Sequence, residues 1–254
     1  MKPSLFVVKL TGISILQQLQ WEEALLRVDQ RNWCILNQGS SPAIIMGISG
    51  IVDLLVNQEK LKQAPIPLIR RFSGGGTVVV DESTLFVTLI FQADALLIHP
   101  FPRPIMEWTA DEIYRPLFSK DSFELKENDY VLNQKKWGGN AQSIIKGRWL
   151  HHSSLLWDYQ SEYMDYLLMP PKTPIYRNRR PHTDFLCRLS DYWSHVNEFQ
   201  TLIIRQLNRH FTVVEKGREE LEKITALPHR KVTTTLLGKQ TLPKGTGHCT
   251  INTV

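Results

Sequence analysis

The chain has no uninterrupted apolar run of about 18 residues, so the sequence offers no membrane-crossing helix. Its opening MKPSLFVVKL is too short and too soon broken by charge to be the apolar part of a secretory leader. Cysteine is scarce. Cys34, Cys187 and Cys249 are odd in number and show no C-x-x-C spacing, which argues against a disulfide framework or a cysteine zinc site and suits a reducing compartment. The expected address is cytoplasmic, with an organellar matrix as the alternative. A Walker loop, a G-x-G-x-x-G dinucleotide fingerprint and a G-x-S-x-G nucleophile elbow are all missing. No helix-turn-helix, zinc-finger or RNP-like pattern supports nucleic-acid binding.

Acidic residues are also missing from the end of the chain. After Glu222 come Lys223, Arg230, Lys231, Lys239 and Lys244 and no Asp or Glu, so these five account for the whole +5 charge. A second acid-free stretch, Tyr166 to Thr183, carries Lys172, Arg177, Arg179 and Arg180. Such runs are either solvated faces or surfaces that attract an acidic ligand or partner.

What is present is ordinary for a globular chain. At 254 residues, 42% hydrophobic and 22% charged, it is long enough for one sizeable core. No repeat or low-complexity segment occurs. Good helix formers without Gly or Pro predict a helix over residues 14–29, and a second over 52–63, stopped by Pro65 and Pro67. WCILNQ, AIIMGI, LIRRF, TVVV and TLFVTLIF read as strands meeting at tight turns. A helix is predicted over 104–118, interrupted by Pro116. The stretch from Tyr130 to Asp158 reads as three short strands with turns at Asn-Gln, Gly-Gly and Lys-Gly, and helical period returns at Val196, Phe199, Ile203 and Leu207. Helices and strands do not alternate strictly, which predicts an α+β fold with a mixed, largely antiparallel sheet flanked by helices. The last 27 residues, rich in Thr, Gly and Lys, read as a surface arm.

Five of the 14 glycines fall in two places, Gly74-Gly75-Gly76 and Gly138-Gly139, each flanked by basic residues. Glycine lets a ligand approach the main chain, and arginines beside it offer forked donors to carboxylate or phosphate. Taken alone, SGGG between strands is either a turn or such a cradle. In KKWGGNAQ a lysine before a Gly-Gly turn is placed to hold a developing oxyanion or phosphate charge, or is simply solvated. His151 and His152, adjacent on a strand, point to opposite faces and so do not grip one metal together.

RRFSGGGTVVVD, ENDYVLNQKKWGGNAQ and HHSSLL, in that order, resemble the catalytic domain of lipoate–protein ligases in the biotin/lipoate ligase superfamily. The resemblance runs from the first helix to about residue 211. It implies a class II synthetase-like fold and a two-step reaction: lipoate attacks the α-phosphate of Mg-ATP to give lipoyl-AMP, then a lysine of an acyl-carrier lipoyl domain attacks the activated carbonyl and AMP leaves. ATP, Mg²⁺ and lipoate are then co-substrates, with no permanently bound cofactor. It further implies that Lys136 is the central lysine touching acyl carbonyl and phosphate. Arg70, Arg71, Ser73, Gly74, Gly75 and Gly76 would line the acyl pocket and approach the adenylate, and Asp81 closes that motif. Asn128 and Asp129 match a polar pair near nucleotide and metal; Gly139, Asn140 and Ala141 match the turn closing on the ligand, and His152 the second histidine of the third motif.

Val80 stands where many family members have histidine, and Ser153 where they have glycine. The chain is expected to hold a catalytic domain over 1–226 and a basic tail over 227–254, with no accessory domain. Either an accessory chain would then support adenylation, or the chain would only transfer from preformed lipoyl-AMP. A cysteine-dependent octanoyl or lipoyl transferase is disfavoured because residues 119–135 contain no cysteine and Cys187 lacks the P-C-G setting, so Cys187 is read as a buried apolar residue. A cysteine-independent transferase and a non-catalytic acyl-adenylate-binding module stay open as alternatives. Biotin is disfavoured because G-R-G-R-x-G is absent. The basic stretches would steer an acidic lipoyl domain toward the site.

Overall fold

Residues 4–11, whose apolar run is too short for a leader, form an inner strand of a sheet, next to its edge. In the computed structural model, which describes residues 2–118, 122–171, 173–227 and 233–237, the chain begins β1 (Ser4–Thr11), α1 (Ile15–Val28), β2 (Asn32–Gln38), β3 (Ala43–Met46), α2 (Val52–Leu55), α3 (Gln58–Gln63), β4 (Leu68–Arg70), β5 (Val78–Val80) and β6 (Thr84–Gln92). It continues α4 (Pro102–Trp108), β7 (Phe123–Lys126), β8 (Asp129–Leu132), β9 (Lys135–Ile145), β10 (Arg148–Leu156), α5 (His182–Phe185), α6 (Val196–Leu207), β11 (Thr212–Lys216), α7 (Arg218–Thr225) and β12 (Thr235–Leu236). Among the described residues no helix is long and apolar enough to cross a membrane.

The larger sheet has the order β11-β1-β2-β6-β10-β9-β8-β7; β11, β1 and β2 are parallel and the rest antiparallel. β6 lies near its centre and is covered on both faces. Leu85, Val87, Leu89 and Phe91 pack into one core with α4 and α6, while Phe86 and Ile90 pack into a second with α1 and α7. That two-sided burial is why TLFVTLIF reads as a continuous apolar run rather than an alternating one. α1 matches its expected span, with Ser14 Oγ accepting from Gln17 N at 3.3 Å as N-cap. The expected helix over 52–63 is two short ones, α2 and α3, with Asn57 capping the second.

The smaller sheet corrects the turn assigned to the glycine run. Its order is β12-β4-β3-β5, so β4 and β5 both pair with β3 and never with each other. Residues 71–77 therefore carry the chain across β3 from one side to the other. A hairpin would have needed β4 beside β5.

The Gly138-Gly139 turn is a second correction: both glycines lie inside β9, opposite Tyr130 and Asp129. The strands expected there are otherwise right, with reversals at Asn133-Gln134, both at positive φ, and at Lys146-Gly147. β9 carries a bulge. Tyr130 pairs with Gly138 but Val131 pairs with Lys136, leaving Trp137 as the extra residue. Trp137 and Gly138 thus face the core together, Trp137 against Tyr114 and Tyr130, and a Cβ on Gly138 would sit 2.9 Å from Leu155. Lys136 and Gly139 come to share the opposite side, where a Cβ on Gly139 would lie 3.2 Å from Lys136 Nζ. Straight alternation would have separated them.

Part of the supposed surface arm is built into the fold. Thr235 and Leu236 pair with Arg70 and Ile69, and Thr233 and Thr234 close over Glu23 of α1. The Glu23 carboxylate is buried and accepts from Thr233 N (3.0 Å), Thr233 Oγ1 (2.6 Å), Thr234 N (3.0 Å) and Arg27 (2.8 Å). Burial alone would raise its pKa, but these hydrogen bonds together hold it below the ordinary 4.5. A folded pKa below the unfolded one stabilises the fold fully at neutral pH, and that stability is lost as pH falls below 4.5. Thr233→Ala is thus expected to cost about 1–2 kcal/mol at pH 7, and less as the medium is acidified toward pH 4; urea titrations at both pH values check it. The basic tail residues Arg230, Lys231, Lys239 and Lys244, with Lys172 and Cys249, lie outside the described residues.

Candidate active site

The glycine crossover is held from below by arginine. Arg71 is buried, and its Nη2 donates to Gly74 O (3.0 Å) and Gly76 O (2.8 Å), so two loop carbonyls turn inward. Burial draws the Arg71 pKa down to about 10, and Glu22 nearby opposes the fall; the guanidinium stays charged at neutral pH. Gly74 N donates to Gln142 O of β9 at 3.3 Å, and Ile48 N to Ser73 O at 3.1 Å. The loop is closely packed at Gly75: φ is +115°, and a Cβ there would lie 2.6 Å from Arg71 Nη2 and 3.2 Å from Asn140 O. Gly75→Ala is expected to lose about 1–3 kcal/mol and to push the loop off β9; a lower midpoint in thermal unfolding, with weaker ligand binding, is the readout.

A cavity of about 470 Å³ opens between this loop and β9, within the range of small-molecule sites. Gly75 and Gly76 form one wall, and Asn128, Asp129, Lys136, Gly139 and Asn140 the other. Leu167, Leu168, Pro170, Phe185 and Leu186 give it an apolar end. Lys136 Nζ lies 2.8 Å from Asp129 Oδ1, and Tyr176 donates its hydroxyl to Asp129 Oδ2 at 2.8 Å. Beside that carboxylate and amid apolar neighbours, the Tyr176 phenol is pushed far above its ordinary range by burial and by the Asp129 charge, so it stays protonated and donates to the carboxylate. A lysine cation therefore lines the cavity, held by an acid that is itself held.

A second, much smaller cavity of about 30 Å³ lies behind the first and shares Gly139 and Asn140 with it. Leu19, Ile45, Arg71, Ala141, His152 and Ser154 line the rest. His152 Nδ1 meets Glu22 Oε1 and Oε2 at 2.9 and 3.0 Å and Thr88 Oγ1 at 3.0 Å. Glu22, fully buried on α1, also accepts from Gln18 Nε2 (2.7 Å) and Thr88 Oγ1 (2.6 Å). On the other face of β10, His151 lies 2.9 Å from both the Tyr130 hydroxyl and Gln142 Nε2. Burial, with His152 beside it, drives its pKa down to about 3, so it is neutral. Ser153 donates to Asn140 Oδ1 at 2.7 Å, and Asn140 Nδ2 donates to Asn128 O at 3.0 Å, a chain of contacts that fixes Asn140 at the boundary of the two cavities.

The two cavities therefore gather Arg71, Gly75, Gly76, Asn128, Asp129, Lys136, Gly139, Asn140, Ala141 and His152. The structure places the other four expected residues outside the linings. Arg70 donates to Ile48 O and Gly50 O, bracing the neighbouring loop, and Ser73 and Gly74 supply loop backbone bonds. Asp81 accepts from Ser83 N (2.9 Å) and Thr84 Oγ1 (3.2 Å) in the turn into β6; burial raises its pKa. Sequence reasoning missed Glu22, Tyr176 and His182 as neighbours of the site. Glu22 gave no signal, being one of several acids in a helix, but the acid-free Tyr166–Thr183 stretch pointed at the region of Tyr176. Cys34 and Cys187 are buried, with thiol pKa values raised by burial to about 12 and about 11, and neither lines a cavity.

Residues 14–208 match the family model of the lipoyl protein ligase A/B catalytic domain. A relative from Plasmodium falciparum, called inactive lipoate–protein ligase 2, is 29% identical over 72% of this chain and 62% of its own length. The lipoate–protein ligase of Streptococcus pyogenes is 30% identical over 69% of this chain and 54% of its own. The chain thus spans between about half and two thirds of these two relatives. A lipoate–protein ligase A solved with ATP and a bipartite ligase from Thermoplasma acidophilum each superpose with a TM-score of 0.70 at 18% identity, covering 89% of this chain and 93% and 91% of theirs, which establishes the fold. With the glycine crossover, the lysine on its bulged strand and a family match across most of the chain, the protein belongs to the lipoyl protein ligase A/B catalytic domain family.

Proposed function

We propose that the chain joins lipoate to a lysine of an acyl-carrier lipoyl domain by way of lipoyl-AMP. The observation that carries this is Lys136, paired to Asp129 at 2.8 Å and facing the 470 Å³ cavity beside the glycine crossover. An acyl-adenylate is an apolar chain ending in an anion. The cavity supplies an apolar end, a glycine backbone and a fixed cation in one space. When the acceptor amine attacks the acyl carbonyl, negative charge develops on its oxygen and on the departing AMP phosphate, and a pre-placed ammonium stabilises both.

Mg²⁺ enters this reading as part of the ATP substrate. Among the described residues no group of three His, Cys, Asp or Glu is placed to hold an ion, and both Asp129 oxygens are already engaged. A second reading, transfer from preformed lipoyl-AMP without adenylation, is favoured by Val80, which fills the site of the family's histidine with a buried apolar side chain packed in the α1 core. One experiment separates the two. Purified chain is incubated with ATP, Mg²⁺, lipoate and a lipoyl domain, or with lipoyl-AMP and the domain, and the domain is weighed by mass spectrometry. Modification in both arms supports ligation; modification only from lipoyl-AMP supports transfer. An unmodified domain in both arms, with lipoyl-AMP bound, favours an adenylate-binding module.

A further inference from the structure

Arg177 was expected from sequence to be a surface cation steering a partner, and the structure turns it inward. Its residue is 4% exposed, against the exposed Arg179 two positions on. The segment around it is pinned by two acids of the β7–β8 turn. Glu127 Oε1 accepts from Ile175 N at 2.6 Å and Tyr176 N at 3.4 Å, and Asp129 accepts from the Tyr176 hydroxyl. Asn178 and Arg179, both left-handed at φ 48° and 57°, then reverse the chain. Arg180 locks the reversal by donating to Tyr176 O, Arg177 O and Gln134 O.

Arg177 so placed lines the 470 Å³ cavity, and among the described residues its guanidinium is not neutralised. Arg177 Nε donates to Arg180 O at 3.0 Å and the plane lies over the Phe185 ring at 4.8 Å, but Nη2 is buried without an acceptor. Among the described residues no carboxylate forms an ion pair with it. Asp129, the nearest acid of the cavity wall, is spent on Lys136 and Tyr176, and Glu127 on backbone amides. A buried cation with an idle donor is costly unless an anion completes it. Burial lowers its pKa, as desolvation should, yet an arginine keeps its charge.

We propose that Arg177 is an anion-binding residue of the cavity, taking a phosphate group of the nucleotide opposite Lys136. A planar fork suits two phosphate oxygens, whereas Lys136 offers a point charge, so Arg177 fixes the orientation of the phosphate while Lys136 meets the charge that develops on the carbonyl and on the phosphate beside it. The inference deepens the reading of the site as an acyl-adenylate cavity and rests on it for the identity of the nucleotide, though not for the anion.

The test is calorimetric titration of the full chain with AMP, inorganic pyrophosphate and uncharged adenosine at two salt concentrations. Wild type is expected to bind AMP at least about tenfold more tightly than adenosine, more so at low salt. Arg177→Gln should lose about 10–100-fold for AMP with adenosine unchanged, and Arg177→Lys should recover part of the loss. Pyrophosphate bound through Arg177 without a gain for AMP would assign the residue to the outer phosphates of ATP; the reverse assigns it to the adenylate. Equal wild-type affinity for AMP and adenosine together with no pyrophosphate binding overturns the proposal, as does a Gln variant that binds every anion like wild type. If Arg177→Gln does not fold, Arg177→Lys decides: AMP must raise its thermal midpoint less than it raises that of wild type, with adenosine shifting both alike, and equal rises with AMP overturn the proposal. Anion binding through Arg177 in a chain that never lipoylates a domain would sink the ligase reading and leave this site standing.

Discussion

Lys136→Ala should reduce lipoyl transfer by about 10²–10³-fold while leaving the fold intact. The ammonium is the one fixed cation on the β9 wall, and its partner Asp129 keeps a hydrogen bond from Tyr176 when the lysine is gone. The Lys136 and Asp129 side chains are only 21% and 9% exposed, so removing the lysine leaves a charge-assisted hydrogen bond unmet on a largely buried carboxylate and should cost about 1.5–3 kcal/mol, short of unfolding the domain. Single-turnover transfer from lipoyl-AMP to a lipoyl domain, beside a thermal melt, gives the comparison. A variant that transfers at the wild-type rate would remove Lys136 from the mechanism, and one that unfolds would show that the pair is structural instead.

Glu22→Ala is expected to have the opposite profile, with a large effect on stability felt everywhere. The carboxylate is fully buried and engages Gln18, Thr88 and His152 within 3.0 Å, with the buried Arg71 guanidinium near enough to feel its charge. Removing it strands three buried polar partners and an arginine, an outcome that costs about 3–5 kcal/mol where a buried network is broken from one side. That is a large share of the roughly 5–15 kcal/mol by which a domain is stable. Glu22→Gln keeps the shape and some of the hydrogen bonds and should lose less. Urea unfolding of both variants decides the matter; equal stability of wild type and Glu22→Ala would mean that the network is dispensable. Because His152 and Arg71 both border the small cavity, the alanine variant should also loosen the floor beneath the glycine crossover.

The strands and helices were largely legible because burial in a two-sided sheet leaves its mark in residue type. TLFVTLIF announces β6, and Val196, Phe199, Ile203 and Leu207 announce α6, without any knowledge of neighbours. What sequence could not supply was pairing. LIRRF and TVVV look like two arms of a hairpin until β3 is seen between them, and Gly138-Gly139 looks like a turn until its partners on β8 are known. β1 is illegible because its short apolar run sits at the chain start, where a strand and the beginning of a leader look alike in residue type. Two residues of the tail were missed because TL carries no pattern and acquires meaning only beside Arg70 and Ile69.

The site followed the same division. Glycines and basic residues identified the walls, since few other residue types bare a backbone or hold a fixed charge. The residues that hold those walls in place, Glu22, Tyr176 and Ser153, are common types whose role depends on distance in space. Arg177 was noticed for the right reason, its charge in an acid-free stretch, and assigned to the wrong side of the surface.

The bulge at Trp137 makes the lysine's place a matter of counting. Lys136 and Gly139 lie three positions apart, an odd interval that only a bulged strand can fold onto one face. Deleting Trp137 would shorten the interval to two, so a regular strand would still hold lysine and glycine on one side, and what would be lost is the indole from the core. A strand that kept all three positions but ran without the bulge would do the reverse, carrying the ammonium to the far side of the sheet with every letter of KKWGG unchanged.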